Sequence, residues 1–205
     1  MNAPDNCSLL DDVGLEFLGK IAGVLGNAQM KDFALLTDMI QGAPRVFICG
    51  AGRSGLVGRF FAMRLMHLGG TVYVVGDTTT PAAGRDDLVI CISGSGTTQT
   101  IVNIALLARQ AGAKVASISL QLGRATPLGE QSDLCILLDR RVSPHLRRVY
   151  AAAPTIHPAE RHTLTPMGTV FEISTLVYLE AIVAEVIRRQ QIMESEMKLR
   201  HANLE

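Results

Sequence analysis

The apolar positions of the chain fall into two patterns. Five short runs rich in β-branched and apolar residues, Val46 to Cys49, Thr71 to Val75, Leu88 to Ile92, Val115 to Ser119 and Leu134 to Leu138, are continuous rather than alternating. A strand with one face in water alternates, so continuous runs predict strands covered on both faces, as in a parallel sheet. The stretches between several of them repeat every three or four residues instead: Leu56, Phe60, Met63 and His67 within Ser54 to Leu68, and Ile101, Ala105 and Ala108 within Thr97 to Ala111. That is helical spacing, and Gly69-Gly70 and Gly112 stand where helix C-caps belong. Together they predict an α/β class, a five-stranded parallel sheet flanked by helices with right-handed crossovers.

Before the sheet, residues 1–42 hold Leu15, Leu18, Ala22 and Leu25 at helical spacing, interrupted by Gly19, Gly23 and Gly26, which predicts a modest helix or two. After it, Thr169 to Ile192 contains no Pro or Gly and is apolar nearly all round. Such a helix is either central in the core or shared with another subunit, and the second is expected for part of it. Residues 139–165 lack periodicity and carry Pro144, Pro154, Pro158, three histidines and five arginines. A loop this long is usually functional or mobile. The expected organisation is one domain over 1–205, with an N-terminal helical segment (1–42), an irregular insert (139–165) and a C-terminal helix and tail (166–205).

Composition narrows the function classes. Nineteen basic residues balance nineteen acidic ones, so nothing draws the whole molecule toward nucleic acid or anionic lipid, and any bound anion must be held by local groups. Zero net charge with 48% apolar residues also favours self-association. No basic start precedes an apolar run, and no stretch reaches the roughly 18 uncharged apolar residues of a membrane span, so a soluble cytoplasmic protein is expected. Cys7, Cys49, Cys91 and Cys135 are far apart, and three lie in the strand-like runs, which suits buried thiols better than disulfides or a metal.

Two loops carry candidate chemistry. Gly50-Ala-Gly-Arg-Ser-Gly55 joins strand to helix and matches the G-x-G-x-x-G dinucleotide fingerprint, with Asp77 placed 22 residues after Gly55 where a ribose-binding acid would stand. The same physics, glycines beside helix N-terminal N–H groups, holds a nucleotide or a sugar phosphate equally well, and a tight turn needs no ligand at all. The second loop, Ser93-Gly-Ser-Gly-Thr-Thr98, offers four hydroxyls at a helix start, a neutral cradle for a phosphate dianion. It lacks the Lys of a P-loop, which argues against triphosphate chemistry. A dinucleotide fold has no need of this second anion site, whereas a phosphosugar clamp does.

The segments 48–55 (ICGAGRSG), 61–69 (FAMRLMHLG), 93–97 (SGSGT), 166–172 (PMGTVFE) and 201–205 (HANLE) closely resemble the 6-phospho-3-hexuloisomerases, members of the sugar isomerase (SIS) domain group. The resemblance runs from about residue 45 to the C-terminus apart from 139–165. It implies a flavodoxin-like three-layer fold and interconversion of 3-hexulose 6-phosphate and fructose 6-phosphate, in the ribulose monophosphate pathway of formaldehyde assimilation. It further implies a homotetramer with active sites at subunit interfaces, and no metal or redox cofactor. Carried over by position, it assigns substrate and phosphate binding to Ser54, Ser93, Gly94, Ser95, Gly96, Thr97, Thr98 and Gln99, and proton acceptance to Glu172.

The chemistry of the residues is compatible. Moving a carbonyl from C3 to C2 requires removal of the C2 proton and return of one to C3 through an enediol, which one carboxylate can do. Partial burial among Val170, Phe171 and Ile173 would suit Glu172 to that exchange. Yet Thr169-Val-Phe-Glu172 also reads as a T-x-x-E capping box, in which the glutamate only bonds back to the helix start. His201 lies in a charged tail whose default is a solvated helix end; the resemblance offers it as general acid or ring-opening group, in its own or a neighbouring site. His67 reads as a helix C-terminal histidine favoured by the macrodipole. In the insert, His145, His157 and His162 match no metal-ligand spacing, while Arg147, Arg148 or Arg161 could serve a lid near the phosphate. Other pentose or heptose phosphate isomerases, a non-catalytic phosphosugar sensor and a nucleotide-dependent oxidoreductase remain the competing readings.

Overall fold

The structure, a computed structural model, describes residues 6–26, 28–120, 125–138 and 168–204. Five parallel strands form one sheet in the order β2-β1-β3-β4-β5: β1 (Val46–Gly50), β2 (Val72–Val74), β3 (Leu88–Ile92), β4 (Lys114–Ser119) and β5 (Leu134–Leu137). All five follow the runs read from the sequence. Edge strand β2 is shorter than expected, although Val46 N–H still bonds Thr71 O and Val75 N–H bonds Ile48 O, each at 2.9 Å, so the ladder reaches one residue beyond it at both ends.

Helices α1 (Asn6–Leu25), α2 (Met30–Gly42), α3 (Arg53–His67) and α6 (Thr169–Gln190) cover one face of the sheet; α4 (Gln99–Gln110) and the short α5 (Pro127–Glu130) cover the other, and α7 (Glu194–Leu199) ends the described chain. Period-two alternation sorts each strand between these two cores. Val46, Ile48, Leu88, Ile90 and Ile92 point to the first, with Phe61, Leu179 and Ile182. Phe47, Cys49, Val89 and Cys91 point to the second, where the small Ala105 and Ala108 let α4 lie close. Burial on both faces explains why the strands read as unbroken apolar runs.

Helix α6 is central in the core, where Phe171, Ser174, Thr175, Tyr178, Leu179, Ile182, Val183 and Val186 are buried within the chain against α1, α2 and α3, while Val177 remains exposed. One contiguous stripe of exposed apolar side chains lies on α3, where Leu56, Phe60, Met63 and Met66 follow one another at helical spacing. The thiol expectation holds for Cys49 and Cys91, in register on β1 and β3 with sulfurs 3.4 Å apart, and in part for half-buried Cys135. Their mutual hydrogen bond and full burial push the Cys91 thiol well above its usual range. The Cys7 side chain and the 139–165 insert, with its histidines and arginines, lie outside the described residues. Among the described residues no helix is long and apolar enough to cross a membrane.

The N-terminal end of the sheet is pinned by an ion pair whose carboxylate is buried and whose arginine is partly exposed. Arg45 precedes β1 and Asp87 precedes β3; Nε and Nη2 of the arginine donate to the two carboxylate oxygens at 2.9 and 2.6 Å, and Gly84 N–H adds a bond of 2.7 Å. This bidentate bracket sets the two central strands side by side, and the β1 and β3 turns that follow them inherit that placement.

Candidate functional site

In this strand order the connections leave β1 and β3 in opposite directions, and open α/β sheets bind ligands at the C-terminal ends of the strands flanking such a switch. Both glycine-rich loops stand there. In the first, the outer glycines are required by the turn itself. A Cβ on Gly50 would meet the Ser54 carbonyl carbon at 2.8 Å, and one on Gly55 would meet Gly50 O at 2.6 Å. Only Gly52, at φ +56° with open space beside it, leaves backbone exposed at the start of α3. Ser54 is half-buried in the first turn of that helix.

Asp77 is not free for a ribose. Arg59 on α3 grips it through both Nη atoms, at 3.2 and 2.5 Å, which removes the acidic half of the dinucleotide signature.

The second loop is tied down by its backbone. Gly94 O accepts from Leu120 N–H at 3.0 Å and Gly96 O from Leu128 N–H at 3.1 Å. Gly96 sits at φ +65° against Thr126, whose Oγ1 would lie 2.6 Å from any Cβ there. The hydroxyls pair with one another: Ser93 Oγ with Thr98 Oγ1 at 3.0 Å, and Thr97 Oγ1 to Ser95 Oγ at 3.0 Å. Gln99, exposed, bonds Asn103 along α4. Helix α4 starts at Gln99 rather than Thr97 because Thr98 is its N-cap, and the Thr98 hydroxyl turns to Ser93 instead of capping. The first N–H groups of α4 therefore stay without a side-chain acceptor, as they do for α3 behind Gly52, and both helix starts suit an anion.

Helix α6 joins the loops. The Phe171 ring packs on Gly94, 3.1 Å from where a Cβ would be, so the start of α6 is seated on the second loop. The next residue, Glu172, reaches the first loop, where Arg53 Nε donates to its Oε2. The glutamate side chain is 12% exposed and the arginine 63%. This answers the capping-box alternative: the N-cap is Gly168, Thr169 is already helical, and the Glu172 carboxylate is engaged with Arg53 rather than with the helix start. Arg53 is the residue that reading the sequence missed. Its signal was there, one cation inside an otherwise neutral glycine and serine loop.

His201 is not brought to these loops within the chain. Its ring stacks on His67 with centroids 5.2 Å apart, and Arg200 Nη1 donates to His67 O at 3.2 Å. His67 closes α3, and the 13 residue steps from Ser54 put it about 20 Å along the helix from that residue. His67 does end α3, as the sequence reading has it, but burial first, then His201 and Arg64, hold its pKa below the usual histidine value, against the pull of the macrodipole. Two cavities of about 260 and 290 Å³ also lie away from the loops, one at Ile40, Leu65 and Gly70, the other along the β2 edge at Met63 and Tyr73. Among the described residues no three His, Cys, Asp or Glu side chains are grouped to hold a metal ion.

Comparison with known proteins places this site in context. A family model described as the SIS domain matches residues 39–155, more than half of the chain. The 3-hexulose-6-phosphate isomerase of Methanocaldococcus jannaschii is 40% identical over 169 residues, covering 82% of each chain. That of Methylomonas aminofaciens is 38% identical over 188 residues, 92% of this chain and 96% of its own. A crystal structure of a Methanococcus jannaschii protein, reported to infer a molecular function of 3-hexulose-6-phosphate isomerase, matches with TM-score 0.74 and 37% identity over 97% of this chain and 99% of that one.

Proposed function

The chain belongs to the SIS domain family, and from that premise we propose that it is a 6-phospho-3-hexuloisomerase, interconverting 3-hexulose 6-phosphate and fructose 6-phosphate through an enediol. The observation that carries this reading is the placement of Glu172 between two loops built to hold an anion. The phosphate sits over the uncapped starts of α3 and α4, met by the hydroxyls of Ser54, Ser93, Ser95, Thr97 and Thr98, with Gly94, Gly96 and Gln99 shaping the cradle. The Ser93–Thr98 and Ser95–Thr97 hydroxyl pairs bond each other and can swivel to a ligand without unfolding anything. Glu172 takes the proton from C2 and returns it to C3. The reaction moves a proton and a carbonyl with no net oxidation, so it calls for no redox cofactor, and in this reading it also proceeds without a metal. A phosphosugar sensor would use both loops too, but it has no need of a carboxylate set between them.

The rest of the reading is one domain over 1–205, cytoplasmic, serving formaldehyde assimilation through the ribulose monophosphate pathway. We assign the exposed α3 stripe to contacts within a homotetramer. His201, far from its own loops, then enters a neighbouring subunit's site as general acid or ring-opening group. The direct test is an assay coupled to hexulose phosphate synthase. Wild-type protein is expected to form fructose 6-phosphate, with Glu172→Gln slowed about 10³-fold in kcat. No product from the wild type refutes the substrate assignment, and undiminished turnover by Glu172→Gln refutes the assigned base.

A further inference from the structure

Arg53 occupies an unusual position for a charged residue. It is the first residue of α3, directly after the exposed Gly52, and its side chain stays open to solvent at the sheet switch. Only Nε is spent, on Glu172 Oε2; the two Nη groups have no partner among the described residues. The glutamate is thereby made asymmetric. Oε2 is anchored, while Oε1 lies beside Gly168, where a Cβ would stand 3.3 Å away and crowd the approach. One carboxylate oxygen is held still and the other is presented, next to a cation with four N–H donors to spare.

Resting on the isomerase reading above, we propose that Arg53 is a catalytic residue: its Nε fixes Glu172 and its Nη groups stabilise the enediolate oxygen. In the forward direction the C2–H bond breaks and its proton passes to Glu172 Oε1. The electron pair forms the C2=C3 double bond, and the C3 carbonyl oxygen takes the negative charge. Return of the proton from Oε1 to C3, with the O2 hydroxyl proton passing to O3, closes the balance and leaves the carbonyl at C2. Charge appears on the sugar as Glu172 becomes neutral. The guanidinium between them can follow it, because its Nε and Nη donors serve both oxygens from one planar group. A cation met only in the transition state raises kcat rather than substrate affinity.

The test compares wild type, Arg53→Met and Arg53→Lys in the coupled assay, with ethylguanidinium added back to Arg53→Met. Arg53→Met is expected to lose about 10²–10³-fold in kcat with KM within about threefold. Arg53→Lys, which keeps the charge but not the fork, is expected to lose at least about tenfold. Ethylguanidinium should recover part of the Arg53→Met loss. Full kcat in Arg53→Lys overturns the proposal and decides the matter even if Arg53→Met does not fold. A raised KM with unchanged kcat also overturns it, since that is the mark of a residue that only binds phosphate. An inactive wild type overturns the isomerase reading and this assignment with it; an active wild type with unimpaired Arg53 variants overturns this assignment alone.

Discussion

At the C-terminal end of the sheet most polar groups are short, neutral and bonded to one another, whereas at the N-terminal end they are ionised and locked in. The Ser93, Ser95, Thr97 and Thr98 hydroxyls hold each other loosely above helix starts that no side chain caps. At the N-terminal end Arg45 and Asp87, 42 residues apart in the chain, close a bidentate pair whose carboxylate is 1% exposed. The difference separates two tasks. Hydroxyl pairs that are easily exchanged for ligand contacts cost little to open, while a desolvated ion pair is useful only if it never opens. Among the described residues the ion pairs at the C-terminal end, Arg59 with Asp77 and Arg53 with Glu172, are the exception, and in both the arginine is mostly in water.

His201 is the residue that could break this division, because it lies at the structural end of its own chain and yet is assigned to catalysis in a neighbour. The largest effect expected is therefore in a mixing experiment. Glu172→Gln and His201→Ala proteins are each impaired, and after co-refolding in equal amounts about a quarter of the sites would combine an intact glutamate with an intact histidine from another copy, by random assortment in a symmetric oligomer. Activity near that fraction of wild type supports shared sites. Activity no higher than the mean of the two separate proteins means that each chain works alone, and the N-terminal end is then structural only.

The second effect is on stability. Asp87→Ala leaves Arg45 without its carboxylate partner between two central strands, and a melting temperature lower by about 5 °C is expected for loss of a half-buried pair in a chain of this size. Turnover of the molecules still folded should stay close to wild type, since the pair lies at the end of the sheet away from the loops. A fall in kcat without a fall in melting temperature would show that the two ends are not separate.

The same contrast explains which features could be read from the chain. Strands buried on both faces leave unbroken apolar runs, and the turn glycines leave a motif, so the sheet and both loops were legible. Helix α6 is apolar nearly all round because α1, α2 and α3 surround most of it, and periodicity alone does not say which of its faces the chain itself covers. Capping boxes are a local code, and Thr169 with Glu172 spells one, yet a distant arginine takes the carboxylate instead. That partner is 119 residues away, and Arg45 lies 42 residues from Asp87. Neither pair has a period or a spacing rule, so both emerge only when the β1 and β3 connections have been folded. Charged pairs of this kind are the part of a fold that pattern cannot supply.

The smallest effect concerns His67, and it tests whether the N-terminal end tolerates a new charge. Its ring is buried, stacked on His201, with Arg64 on the same helix and Arg200 on its carbonyl oxygen, so every charged neighbour named is a cation or can become one. Burial chiefly, and then these neighbours, lower its pKa in the folded state below the 6.5 of an unperturbed histidine. Between the two values the unfolded chain binds more protons than the folded one, so unfolding free energy rises with pH. Stability is therefore lost as pH falls below about 6.5 and stops falling once the folded-state ring itself protonates. Melting curves at intervals from about pH 8 to pH 5 should show a steeper decline for wild type than for His67→Gln, which has no proton to gain there. Parallel declines would mean that the ring accepts a proton without cost, and that the stack with His201 opens freely enough to let water reach it.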